Sequence, residues 1–174
     1  LSDAGSSIIG FIGVKLAGRP ADKEHPFGHG RMEYIAALAV SFVIIQVSLS
    51  LFKNSFEEIF KPEDVIFSPV LIGILVISIF IKVWLVLFNR KLGKRVKSSV
   101  MLATAADSLS DVLVTSATIV SAVIAGLTGL KIDGYMGLVV SVFVFIAGVK
   151  IAKETLEPLL GQAVDRELYK KITD

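Results

Sequence analysis

The chain has 174 residues, of which 53% are apolar and 20% charged, and its formal net charge is +2. The charges are confined to short stretches, which leave uncharged runs of 16 to 19 residues at 34–52, 65–81, 112–130 and 134–149. A helix needs roughly 20 largely apolar residues to cross the hydrocarbon layer, so these runs exclude a soluble enzyme, a disordered tail and a disulfide scaffold. The small net charge gives no reason to expect nucleic acid, and the absence of cysteine excludes thiolate metal ligands.

The first apolar stretch, residues 8–14, is too short to span the hydrocarbon layer. No basic region or small-residue cleavage site precedes it, so it is not a signal peptide, and we expect it to be the second half of a spanning helix. Asp3 opens this segment. The predicted packing face, which is small and polar at one end, consists of Asp3, Ser7, Gly10 and Val14.

Both histidines of the chain lie in the connection that follows, residues 20–30. Asp22, His25 and His29 are the ligand types that zinc or a similar borderline ion takes in proteins. Their spacing is not that of a zinc finger, and Pro26 with its neighbouring glycines equally describes a tight loop with solvated histidines. From composition alone, both interpretations stay open.

The remaining connections differ in charge, and this difference orients the helices. Residues 89–99 hold five basic side chains and no acid, which predicts a cytoplasmic loop. Residues 53–64 are acidic and residues 128–133 carry one charge of each sign, so both are assigned to the outside. By alternation, residues 17–31 and the tail from Lys150 lie inside.

Lys82 interrupts the second long apolar segment seven residues before the basic stretch. Its ammonium can snorkel to the membrane surface or pair with a buried acid. We favour snorkelling, because the basic stretch is close.

Two carboxylates lie inside the segment at residues 98–130. Asp107 and Asp111 are four residues apart and share a helix face, and each costs about 2.5 to 3.5 kcal/mol at the centre of a membrane helix. The same polar stripe continues with Thr104, Thr115 and Thr118. Acids near the cytoplasmic end could simply be solvated. We favour a cation site, because two like carboxylates in a low dielectric need a cation or a proton between them.

Two motifs resemble those of the cation diffusion facilitator family. The segment PADKEHPFGHGRMEYIAAL at residues 20–38 resembles the signature between the family's second and third helices, and AADSLSDVL at residues 105–113 resembles its fifth-helix motif. The resemblance covers essentially the whole chain. It implies an all-α integral membrane protein containing helices two, in part, to six of a six-helix transporter bundle. Residues 1–160 are then the transmembrane domain, without the first helix and the start of the second, and residues 161–174 begin a cytoplasmic C-terminal region whose remainder is missing.

The resemblance also implies a function. Family members export divalent transition metals in exchange for protons, usually as homodimers, and are neither enzymes nor carriers of a prosthetic group. It therefore implies a multi-pass protein of a bacterial plasma membrane, with loop 89–99 and the C-terminus cytoplasmic, that works with lipid, divalent cations and protons. A passive cation channel and a non-transporting metal-binding membrane partner remain alternatives, since both use acidic residues.

The family's site residues can be carried over by position. Asp3 matches the second ligand of the second helix, whose partner would precede Leu1, and Asp107 and Asp111 match the two ligands of the fifth helix. These three residues form the implied transport site. A second, cytoplasmic-side site of some bacterial members is matched by the loop residues Asp22, His25 and His29.

The identity of one ligand bears on the metal. Zinc-transporting members typically have His where this chain has Asp107, and Asp at that position is typical of members associated with manganese. All-oxygen sites suit Mn²⁺, whereas imidazole favours Zn²⁺. We therefore favour manganese as the transported ion, with iron, zinc and cobalt as alternatives.

Overall fold

The computed structural model describes residues 2–61 and 68–160, with side chains described from Gly5 onward. Within these ranges the chain forms five helices and no strand, which confirms the all-α fold class. The helices are α1 (Ser2–Ala17), α2 (Arg31–Phe60), α3 (Pro69–Val96), α4 (Ser99–Thr128) and α5 (Asp133–Leu160). The expected C-terminal region at residues 161–174 lies outside the described residues.

The four helices α2 to α5 are long and apolar enough to cross a membrane. Each has 28 or 30 residues. At 1.5 Å per residue such helices are about 42 to 45 Å long, which exceeds a hydrocarbon layer of about 30 Å. The protein is therefore a multi-pass integral membrane protein, as predicted.

The basic stretch at residues 89–99 is not the predicted loop. α3 continues through most of its basic side chains to Val96, and only Lys97 and Ser98 connect it to α4. Lys97 adopts a left-handed conformation with φ 55°, and Ser98 caps α4 by accepting a hydrogen bond from the Met101 N–H at 3.3 Å. Lysine and arginine are good helix formers and are favoured in the last turn, so a run of basic residues does not by itself end a helix.

The bundle is organised around two closely packed pairs, α2 with α5 and α3 with α4, and α1 packs against α2 and α4. Small residues allow this close approach, as is common between membrane helices. A Cβ added to Gly137 of α5 would overlap the Ser55 side chain of α2, and one added to Gly13 of α1 would overlap Ala36 of α2. The buried apolar centre includes Ala37, Val40, Ile44, Ala103 and Val144.

The packing face of α1 differs from the predicted one. Ser7 and Val14 are exposed, whereas Ser6, Gly10 and Gly13 are buried. The prediction was wrong because spacings of three and four residues both approximate the helical period of 3.6. In the observed face Ser6 replaces Ser7 and Gly13 replaces Val14, a shift of one residue at each position.

Candidate metal sites

Asp107 is buried where α4 meets α1. Asp107 is 7% exposed and Ser6 is 1% exposed. The Asp107 Oδ2 accepts a hydrogen bond of 2.5 Å from the hydroxyl of Ser6. The helices approach closely at Gly10, where an added Cβ would lie 3.2 Å from Val100 Cγ1. This burial excludes the solvated interpretation for Asp107.

Asp111 pairs with Lys82 of α3. The Lys82 Nζ lies 2.7 Å from Asp111 Oδ2, and the two side chains are 20% and 29% exposed. The preferred prediction that Lys82 snorkels to the membrane surface was therefore wrong, and the alternative of pairing with a buried acid holds.

The reason for this pairing is the equal depth of the two residues. Lys82 lies 14 residues before the end of α3, and Asp111 lies 12 residues after the start of α4. Because the helices are antiparallel and joined by only two residues, both lie at about 18 to 21 Å from the connection. The Lys82 ammonium is therefore stabilised by the Asp111 carboxylate without extending to the membrane surface.

The rest of the polar stripe on α4 is partly buried. None of its members is exposed. Thr104 and Thr118 each donate a hydroxyl hydrogen bond to the carbonyl four residues earlier, at 3.0 and 3.1 Å. That this stripe faces other helices or water and not lipid stays a prediction, and its three threonines are partly buried.

Asp3, the third residue of the implied transport site, lies in the first turn of α1, three residues before Ser6. Its side chain is outside the described part of the chain. Asp3 consequently stays a predicted ligand.

A cavity of about 90 Å³ opens between α2, α4 and α5, at the end of the bundle away from the basic stretch. It is lined by apolar residues that include Val114, and by Thr118, Asn54, Glu58 and Asp133. The last three residues also line a wider cavity of about 480 Å³. Thr118 is seven residues past Asp111 on α4, or about 10 Å along the axis. In the sequence, Glu58 and Asp133 indicated only the orientation of the helices, and their proximity to Thr118 was not predicted.

The loop between α1 and α2 brings Asp22, His25 and His29 together. The Asp22 Oδ1 accepts hydrogen bonds from the backbone N–H groups of Glu24 at 3.0 Å and His25 at 2.6 Å, which is an Asx turn. The His25 carbonyl accepts from Gly28, which has a φ of 78° that favours glycine. The tight-loop interpretation and the metal interpretation are therefore compatible, because the turn itself assembles the cluster.

Two N···O distances within this cluster match the spacing of neighbouring ligand atoms in a tetrahedral metal site. The His25 Nδ1 lies 3.4 Å from Asp22 Oδ1, the His29 Nε2 lies 3.5 Å from Asp22 Oδ2, and one ligand atom from each residue lies within 4.8 Å of the others. Both N···O distances are longer than a good hydrogen bond of about 2.7 to 3.2 Å. Metal–ligand bonds of about 2.1 Å in a tetrahedron put neighbouring ligand atoms about 3.4 Å apart, which is close to both N···O distances.

The electrostatics of the loop favour an ionised Asp22. The backbone hydrogen bond from His25 is the main cause that holds the pKa of the Asp22 carboxyl below its usual range, and the charges of the neighbouring imidazoles, when present, act in the same direction. The carboxylate is therefore available as an anionic ligand.

Within the described residues, His29 Nδ1 and Glu33 Oε1 are buried without a hydrogen-bond partner.

A multi-pass helical bundle with carboxylates inside it and a cluster of one aspartate and two histidines at one end is typical of ion-transporting membrane proteins. The family model of the cation efflux transmembrane domain matches residues 1–160. The chain belongs to this family, which confirms the resemblance drawn from the two motifs.

Three relatives are similar along nearly the whole chain. The cation-efflux pumps FieF of Serratia proteamaculans and of Yersinia pestis are each 28% identical over 174 residues, which is 100% of this chain and 58% of each relative. An uncharacterized transporter of Methanocaldococcus jannaschii is 27% identical over 172 residues, which is 99% of this chain and 61% of the relative. The chain thus spans about three-fifths of the length of these relatives.

Proposed function

We propose that this protein exports divalent transition-metal cations from the cytoplasm by exchanging them for protons. The observation that carries the proposal is the pair of carboxylates on α4, Asp107 and Asp111, inside the helical bundle of a cation efflux family member. Ionisable residues inside a membrane are costly and mark ion pathways. The relatives called cation-efflux pumps support the direction of transport. The proposal involves no enzymatic reaction and no prosthetic group.

In this proposal Asp3, Asp107 and Asp111 bind the transported ion. Carboxylate oxygens suit hard ions, so Mn²⁺ is the favoured substrate and Fe²⁺, Zn²⁺ and Co²⁺ are alternatives. Ser6 and Lys82 now contact the oxygens that the ion would use. Both contacts must rearrange or be shared when the ion binds.

Coupling to protons follows from the same carboxylates. A carboxylate binds a metal only when it is ionised, so metal and proton compete for the same oxygens. The cavity lined by Glu58, Asp133 and Thr118 supports a route for water and protons from the outer side, because its lining reaches Val114, three residues past Asp111 or about 4.5 Å along the axis.

The loop cluster of Asp22, His25 and His29 is proposed as a second metal site on the cytoplasmic side. Its two imidazoles and tetrahedral distances favour a borderline ion such as Zn²⁺. The loop lies at the end of the bundle where α1 ends and α2 begins. An ion held there is close to the protein's cytoplasmic entrance but is not held inside the membrane.

The orientation and assembly belong to the same proposal. We assign the protein to a bacterial plasma membrane, with residues 89–99 and the C-terminus cytoplasmic, and we expect a homodimer. The basic last turns of α3 support this orientation, and two of the three relatives named above are bacterial. The partners of the chain are then membrane lipid, divalent cations, protons and a second copy.

Reconstitution of the full-length protein in liposomes tests this function. We expect saturable Mn²⁺ transport that depends on the proton gradient and is lost in Asp111→Asn. Glu154→Gln is the matched control, because Glu154 is an exposed acid whose Oε1 lies 3.9 Å from Lys150 Nζ, and we expect it to transport normally. Flux that ignores the proton gradient would indicate a channel, and metal binding without flux would indicate a non-transporting partner; either result contradicts the proposal.

A further inference from the structure

The two carboxylates of α4 have different partners. Asp107 accepts a hydrogen bond from a neutral hydroxyl, that of Ser6, whereas Asp111 contacts the ammonium of Lys82 at 2.7 Å. We propose that Lys82 is a tethered cation that occupies Asp111 when no metal is bound, and that a divalent ion must displace it. This inference rests on the proposed function, because it takes Asp111 as a ligand of the transported ion.

The location of the pair separates it from ordinary surface ion pairs. Exposed lysines of this chain, such as Lys53 and Lys150, lie 3.9 Å from a glutamate one helical turn away on the same helix. Lys82 instead reaches from α3 to α4, 29 residues away, and both members of the pair are partly buried. Electrostatic attraction is weakly screened in such a place.

A divalent ion and this ammonium compete when both use the Asp111 oxygen that Lys82 contacts, Oδ2. An ion bonded to an Asp111 oxygen at about 2.1 Å, with the Lys82 Nζ still 2.7 Å from the same oxygen, would lie only about 4 Å from that nitrogen. Three positive charges so close together repel strongly in a partly buried site. Lys82 is on a flexible four-carbon stem, so its head can move without movement of α3.

Displacement has a consequence for the transport cycle. The ammonium compensates the charge of Asp111 while the site is empty, which lowers the cost of an unoccupied carboxylate inside the membrane. When it returns to Asp111 it competes with the bound ion, and so it weakens binding and assists release. Lys82 is therefore predicted to set the affinity of the site, although it is not itself a metal ligand.

A positioning role for Lys82 would change the metal dissociation constant in the opposite direction from a competing role. If Lys82 stayed paired while the metal was bound and only held Asp111 in position, its removal would loosen the ligand and weaken metal binding. If Lys82 competes with the metal, its neutralisation strengthens metal binding. The direction of change in the dissociation constant therefore decides between positioning and competition.

The experiment is equilibrium titration of the purified full-length protein with Mn²⁺, in a His25→Ala/His29→Ala background that removes the loop site. We expect Lys82→Gln to lower the Mn²⁺ dissociation constant by about tenfold, with a lower kcat in liposomes because release is slower. Lys82→Arg keeps the charge and should bind Mn²⁺ nearly as the parent does. Lys53→Gln is the matched control and should leave the dissociation constant unchanged.

An unchanged or higher dissociation constant in Lys82→Gln overturns the inference. Glutamine can still donate a hydrogen bond to Asp111, which favours correct folding, and Lys82→Met provides a second neutral variant with the same expected direction. Asp111→Asn in the same background separates the two claims. If it still binds and transports Mn²⁺, the proposed function has failed; if it does neither while Lys82→Gln binds like the parent, only the role of Lys82 has failed.

Discussion

Asp22 has two separable roles in the cytoplasmic loop, and two substitutions distinguish them. Its Oδ1 accepts backbone hydrogen bonds from Glu24 and His25, and its carboxylate also faces both imidazoles at 3.4 and 3.5 Å. Asp22→Asn keeps an oxygen that can hold the turn but removes the negative charge. Asp22→Ala removes the charge and the turn together. We expect both variants to lose Zn²⁺ binding at the loop, and the alanine variant to lose more.

The size of each loss follows from these contacts. Changes in groups that only support metal ligands cost about 10- to 100-fold in affinity, so loss of the anionic ligand itself should cost at least about 100-fold. Asp22→Ala also removes two hydrogen bonds, and because the loop is exposed each has the low end of its usual value. Together they add a loss of about fivefold.

The assay is equilibrium Zn²⁺ titration of the full-length protein in detergent, with Asp111→Asn as the background that silences the membrane site. Glu24→Gln is the control, because Glu24 is an exposed neighbouring acid whose side chain is not in the cluster. Parental Zn²⁺ affinity in Asp22→Asn, or an equal loss in Glu24→Gln, would refute the assignment of Asp22 as a ligand.

Three further predictions concern the sites and the orientation. Asp111→Ala should abolish metal uptake into inside-out vesicles, whereas replacing both loop histidines by alanine should reduce uptake without eliminating it, because water can complete coordination at the surface; the reverse pattern would mean that the roles are exchanged. Asp107→His should raise the ratio of zinc to manganese uptake at a fixed proton gradient, because imidazole favours Zn²⁺ more than Mn²⁺, and an unchanged or lower ratio would remove the support for manganese. In intact cells, an impermeant thiol reagent should label Asn54→Cys but not Lys94→Cys, both at exposed positions, and labelling in the opposite pattern would invert the topology.

The helices were predictable from sequence because hydrocarbon thickness sets their minimum length. Their ends were less so. The charges at residues 89–99 predict a membrane boundary, but α3 continues through most of them to Val96 because lysine and arginine support a helix in its last turns. Charge and helix termination are separate properties, so a basic stretch does not locate the end of a helix.

The sites differ in how far apart their members lie in the chain. Asp22, His25 and His29 fall within eight residues, so a turn alone can bring them together. Ser6 and Asp107 are 101 residues apart, and only the packing of α1 on α4 reveals their contact.

The pairing of Lys82 with Asp111 is an intermediate case between a local turn and long-range packing. Their similar distances from the connection, 14 and 12 residues, can be counted only when the ends of both helices are known. The predicted loop at residues 89–99 placed those ends wrongly.

The central claim is that metal and protons exchange through the carboxylates of α4. Its most direct test is the internal pH of liposomes that contain the full-length protein, recorded while an imposed Mn²⁺ gradient is the only driving force. We predict proton movement opposite to the Mn²⁺ flux, absent in Asp111→Asn and retained in Glu154→Gln. Two results would contradict the account. One is Mn²⁺ movement without a change in internal pH while the flow of other ions is held constant. The other is proton movement that persists in Asp111→Asn.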